Sequence, residues 1–177
     1  MKRLFEKTAT ALFALAFLFA AVPAEEEALA QSNSEQSVTI KVEAIDSFGA
    51  PGGTAGSDLK PVTLVINEAD RPGEHPTPAT DASTGYALTT NGSSRRITAS
   101  LGSAYSEQLT LEANLTAPGD GSSRGYVELT ESDQVVVEGI STVAASTMEI
   151  KYRASATVQA GIVDGETQTV TYTMTTN

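Results

Sequence analysis

TQTVTYTMTT, residues 167–176, is the stretch whose alternation decides the fold. Val170, Tyr172 and Met174 fall on one side of an extended chain, and Thr169, Thr171, Thr173 and Thr175 fall on the other. Successive side chains of a strand point to opposite faces, so the run carries an apolar face and a hydroxyl face. MEIKYRASAT, residues 148–157, repeats the pattern with Met148, Ile150, Tyr152, Ala154 and Ala156 in phase. β-Branched and aromatic residues suit such a half-buried pleated surface. The two runs read as neighbouring strands of one sandwich around which the other segments pack.

The alternation recurs outward from there. Residues 37–45 place Val38, Ile40, Val42 and Ala44 on one face and read as a strand. FGAPGGTAGSDLK, residues 48–60, reads as a loop because glycines and a proline oppose regular pairing. PVTLVIN, residues 61–67, is the next expected strand, with Val62, Leu64 and Ile66 inward. Residues 68–84 hold Pro72, Pro76 and Pro78 and read as a long surface loop. Strands follow at 85–90 and Arg95–Leu101, joined by Asn91-Gly92-Ser93-Ser94, which signals a hairpin. Leu109, Leu111, Ala113 and Leu115 keep strict period two within residues 107–115. Residues 125–129 and Gln134–Ile140 complete the set, with residues 141–147 read as a link. Val135-Val136-Val137 implies burial on both faces or an aggregation-prone edge.

About nine short strands at regular spacing make an all-β fold, a two-sheet antiparallel sandwich of immunoglobulin-like or jelly-roll-like type. Its expected core is Val38, Ile40, Val42, Leu64, Ile66, Ile97, Leu101, Leu109, Leu111, Ile150, Tyr152, Val170 and Tyr172. An outer-membrane barrel would want aromatic girdles and a lipid-facing band on every strand. Phe48, Tyr86, Tyr105, Tyr126, Tyr152 and Tyr172 are too few to supply them.

At the amino terminus, Lys2, Arg3 and Lys7 precede the apolar run of residues 9–22, and small residues follow. This is the pattern of a secretory signal peptide, residues 1–30, cleaved after Ala24 or Ala30. Residues 31–36 are polar and read as a mobile leader, with residues 37–177 a single sandwich domain. The expected location is therefore secreted, extracellular or cell envelope, with no integral membrane segment in the mature chain. Cleavage after Ala30 leaves 18 acidic and 8 basic side chains, a balance of −10. Such a charge opposes nucleic acid, whose affinity rests on phosphate neutralisation. The chain has no cysteine, which removes disulfides and a cysteine-linked lipid anchor.

Chemistry is sparse. His75 is the only histidine, lies between Glu74 and Pro76, and has no Gly-x-Ser-x-Gly partner motif. A solvated loop histidine is the simpler reading. Asp58, Asp120 and Asp164 sit beside serine or glycine in turns, where calcium ligands and ordinary turn chemistry look alike. Tyr86, Tyr105 and Tyr126 are the candidates for a carbohydrate platform, although tyrosine in strand register also serves as core. No catalytic, cofactor-binding or metal-ligating residue is assigned, and no cofactor is implied.

TTNGSSRRITASL (residues 89–101) and GISTVAASTMEIKYRASATVQAGIVDGETQTVTYTMT (residues 139–175) resemble small exported bacterial sandwich proteins of uncharacterised, fimbria-like or spore-coat-like type. The resemblance rests on the Ile-Thr strand, the Ser-Thr-Met-Glu-Ile-Lys-Tyr strand before AGIVDG, and the terminal VTYT strand. It implies a surface or extracellular structural role without catalysis and carries over no functional residue. The cysteine that many fimbrial subunits use is missing here. The expected function is a non-enzymatic structural or adhesive protein, an assembly subunit that self-associates by strand addition or pairs with other surface proteins. The alternative is a secreted binding module for a carbohydrate, small ligand or calcium.

Overall fold

Alternating runs become strands only where another backbone is available to pair with them. The computed structural model describes residues 36–177, so the expected signal peptide and most of the leader lie outside the described residues. The sandwich lies within Lys41–Asn177. Its strands are β1 (Asp46–Gly49), β2 (Ala79–Thr90), β3 (Arg95–Leu101), β4 (Leu109–Leu115), β5 (Ser122–Ser123), β6 (Val127–Glu128), β7 (Gln134–Ile140), β8 (Val143–Ala156) and β9 (Val170–Thr176). They form a five-stranded sheet, β1-β2-β8-β4-β6, and a four-stranded sheet, β5-β7-β3-β9. Every pairing is antiparallel, and the fold is a two-sheet all-β sandwich. No described helix is long and apolar enough to cross a membrane.

The core lies between the sheets. Tyr86, Ile97, Leu115, Val136, Val137, Ile140 and Ile150 are fully buried there. Each large aliphatic side chain contributes about 1.5–3 kcal/mol by leaving water. Of the expected core, Ile97, Leu101, Leu111, Ile150 and Tyr152 are buried. Leu64, Ile66, Leu109, Val170 and Tyr172 are half-buried.

The largest correction concerns residues 37–45. They join no ladder, and Val38, Ile40 and Val42 are 75%, 85% and 74% exposed. Alternation makes a segment competent to be a strand, but a partner edge must complete it. Residues 61–67 likewise form no strand, although Val62, Leu64 and Ile66 turn inward while Thr63 and Val65 turn out. Conversely, Asp46–Gly49 lies partly inside the expected loop 48–60 yet pairs with β2 from Asp46↔Thr90 to Gly49↔Ala87. Phe48 earns that place by stacking on Tyr86 with centroids 5.4 Å apart.

β2 begins at Ala79, inside the expected loop 68–84, because Pro78 is the last proline of that loop and β8 offers a partner from there on. For the same reason the expected link 141–147 joins β8, whose Val143 pairs with Thr90. The expected 125–129 strand shrinks to Val127–Glu128, an edge that reaches only Glu112 and Ala113. The hairpin expected at residues 91–94 is instead a switch between sheets, since β2 and β3 belong to different ones. Ser94 adopts φ 54° there, and the turn's polar groups serve the incoming chain instead of a hairpin closure.

β8 and β9, read as neighbours, lie in opposite sheets and meet where the Tyr172 hydroxyl donates to the Tyr152 hydroxyl at 2.8 Å. The valine run is neither an edge nor strictly two-faced. β7 lies between β5 and β3, and its register with β3 steps from Ile97↔Val137 to Thr98↔Val135. That bulge leaves Val136 unpaired in the ladder and turns both Val136 and Val137 into the core.

Candidate functional site

The sandwich is not filled evenly. A cleft of ≈ 970 Å³ enters it beside the start of β9. Tyr152, Ala154 and Ala156 of β8 and Leu109 and Leu111 of β4 line its floor. Val170 and Tyr172 of β9 line it on one flank, and Leu59, Val62, Leu64 and Ile66 line it on another. Residues 59–66 therefore present a strand-like apolar face to the cleft while forming no ladder with β9.

β9 is the outer strand of its sheet among the described residues. It pairs with β3 in a constant register from Arg95↔Thr176 to Leu101↔Val170. The flanking bonds, Gly102 N–H to Thr169 O at 2.9 Å and Asn177 N–H to Ser94 O at 2.8 Å, fix which residues face β3. In an antiparallel ladder such bonded pairs alternate. The odd-numbered residues of β9 thus serve β3, and the N–H and C=O groups of Val170, Tyr172, Met174 and Thr176 point away from it. The same four residues include the three apolar side chains that turn inward. An edge of this length with outward donors and acceptors is a template for another strand.

The cleft walls are braced. Glu166 accepts from both the hydroxyl and the backbone N–H of Ser106, and these bonds hold its carboxyl below the usual range. The Ser103 hydroxyl donates to Gln168 Oε1 at 2.6 Å. Burial pushes the Tyr152 and Tyr172 phenols up, so both stay protonated. Because Tyr172 donates to Tyr152, the Tyr152 proton remains available on the cleft floor.

At the opposite end, Asn91 holds the incoming chain like a surrogate peptide. Its Oδ1 accepts from Ile45 N–H at 2.8 Å, its Nδ2 donates to Glu43 O at 2.7 Å, and its own N–H donates to Ile45 O at 3.2 Å. Next to it Arg95 donates two bonds to Asp46, at 2.9 and 2.7 Å, and Thr90 Oγ1 donates a third at 2.7 Å. The Arg95 fork, then Thr90, hold the Asp46 carboxyl below its ordinary value. Sequence reasoning missed this clamp, because nothing in the order Asn-Gly-Ser-Ser-Arg marks its distant partners.

The residues weighed from sequence are scattered. His75 is exposed, and its Nδ1 accepts from the Val158 N–H at 3.3 Å. Asp58 lies on the cleft rim, whereas Asp120 and Asp164 are exposed in separate loops. Among the described residues, no three His, Asp or Glu side chains gather to hold a metal ion. Tyr86 is fully buried and donates to Thr116 O, so it is core and offers no platform. Tyr126 is half-buried beneath the Arg153 guanidinium, 4.2 Å from its ring centroid. Arg153 also grips Glu112 through bonds of 2.6 and 2.8 Å, which lowers that carboxyl. Tyr105 alone of the three lines the cleft.

Comparison with protein-family models, with curated proteins and with solved structures finds no match to this chain.

Proposed function

We propose that this chain is a non-enzymatic structural subunit of an exported assembly at the cell surface or outside the cell, joined to its neighbours by strand addition. The observation that carries this reading is the open edge of β9, in a chain that also exposes an alternating segment at residues 37–45. Main-chain bonding along an edge supplies affinity, and alternate side chains supply register. The resemblance to fimbria-like and spore-coat-like sandwich proteins agrees with it. A formal charge of −11 opposes contact between copies at low ionic strength. Screening lengths fall from about 10 Å at 0.1 M salt to about 3 Å at 1 M, so association is salt-promoted. Sedimentation of the purified chain at both salt concentrations tests this. Species larger than the monomer at 1 M support it, and a monomer at high protein concentration in both refutes it.

The ≈ 970 Å³ cleft favours one second reading, a secreted binding module for a small apolar ligand whose acceptor meets the Tyr152 hydroxyl. Saturable binding by a chain that stays monomeric at 1 M salt distinguishes it from the first.

A further inference from the structure

Resting on the binding-module reading of the cleft, we infer that its ligand is an uncharged, unbranched acyl chain, such as an acyl ester, held extended along β8 with its carbonyl oxygen at the Tyr152 hydroxyl. The hollow arises because the two sheets differ in length. The hydroxyl bond from Tyr172 to Tyr152 sets those residues level across the sandwich. Past that level β9 has a single inward residue, Val170, and its partner Leu101 is the last residue of β3. The longer sheet continues for two further rungs, Leu111↔Ala154 and Leu109↔Ala156, and all four residues line the cleft. β8 contributes only alanine methyls to these rungs, so the floor stays low where a larger side chain would fill the space.

Shape and polarity then select the occupant. The lining runs from Tyr152 along β8 to Thr157, still extended at φ −88° and ψ 164°, a path of about 16 Å at about 3.3 Å per residue. A trough long in one direction, floored by methyls and walled by Val62, Leu64 and Ile66, makes most contact with an extended hydrocarbon. At its inner end the buried Tyr152 hydroxyl accepts from Tyr172 and keeps its own proton, so a carbonyl arriving there completes it without breaking another bond. The charged residues of the lining are Asp58, Lys60 and Glu166. Lys60 is exposed and turns its ammonium to the Ser83 hydroxyl at 3.4 Å, and the Glu166 carboxylate is held by Ser106. A carboxylate head at Tyr152 would be a buried charge without a cation, which is costly, and a neutral carbonyl carries no such penalty. At the outer end Val158 and Ile162 are exposed, so the tail leaves the trough beside apolar side chains.

Displacement of the dye N-phenylnaphthylamine from the full chain tests this. Methyl hexanoate, methyl octanoate and methyl decanoate should compete with affinity rising about fourfold per methylene, the value for its full transfer from water. Camphor, a compact ketone of equal carbon count to the decanoyl chain, and decanoate itself should each compete at least tenfold more weakly than methyl decanoate. Tyr152→Phe should weaken methyl decanoate about three- to tenfold, the loss of one hydrogen bond, and leave competition by decane unchanged. Ala156→Leu should fill the trough and weaken methyl decanoate at least tenfold without lowering the urea midpoint. Camphor or decanoate competing as well as methyl decanoate, or a flat ester series, overturns this inference and leaves the binding-module reading standing. Undiminished binding of methyl decanoate by both Tyr152→Phe and Ala156→Leu overturns both. Absence of saturable binding, by the dye and by methyl decanoate in calorimetry, also overturns both.

Discussion

Tyr172→Phe deletes one oxygen and leaves the ring that packs across the sandwich, so it isolates the single hydrogen bond joining β9 to β8. A typical intramolecular hydrogen bond contributes about 0.5–1.5 kcal/mol net, because folding exchanges it for bonds to water. The two phenols are largely withdrawn from solvent, with Tyr152 8% exposed, so water replaces the lost partner poorly. Unfolding entropy of about 2.1 cal/mol/K per residue over the 137 residues of Lys41–Asn177 gives about 0.3 kcal/mol/K. The expected fall in Tm is therefore about 2–5 °C. Urea unfolding of Tyr172→Phe, Tyr152→Phe and the double variant measures the coupling directly, and it should equal the same 0.5–1.5 kcal/mol. Strict additivity, within about 0.3 kcal/mol, would show that the hydroxyl pair does not link the sheets.

Two further outcomes follow from the packing and the charges. Val136→Ala and Val137→Ala should each cost about 1.5–3 kcal/mol in denaturant unfolding, because the bulge buries both; a strictly alternating β7 would make one of them nearly neutral. Asp46 and Glu112 have carboxyls lowered by Arg95 and Arg153, so their contribution is present above the unfolded-state values of about 4 and fades as pH falls through the lower folded values. Stability of Asp46→Asn should then depend less on pH than that of the parent below about pH 4, and an unchanged acid profile would contradict the clamp.

The sandwich was legible because β4, the second half of β2 and β9 obey period two. β3 and β7 have the expected bounds, and Ile97, Leu101, Leu111, Ile150 and Tyr152 occupy the expected interior. What failed was any inference from alternation to pairing. Residues 37–45 and 61–67 alternate as cleanly as β4, yet neither enters a ladder. Asp46–Gly49, with little strand character of its own, is recruited by Thr90, Arg95 and the Tyr86 ring. Sheet membership was equally hidden, since the Asn-Gly turn that suggests a hairpin carries the chain from one sheet to the other. The candidate site was legible in its two halves, an apolar segment and a terminal strand. Their separation by a cleft depends on tertiary placement that no local pattern encodes.

The clamp around Asp46 has a mechanical side. Chain entering the sandwich at Asp46 runs straight into β1, antiparallel to β2 through four registered pairs. Traction applied to the residues before it, along the strand axis, loads those pairs in shear, so that they resist together instead of opening one after another. The Asn91 amide and the Arg95 guanidinium lie ahead of that ladder and take the pull first, passing it to the turn that joins the two sheets. Force entering through one thin segment is thus spread over both layers of the sandwich before any core side chain has to move.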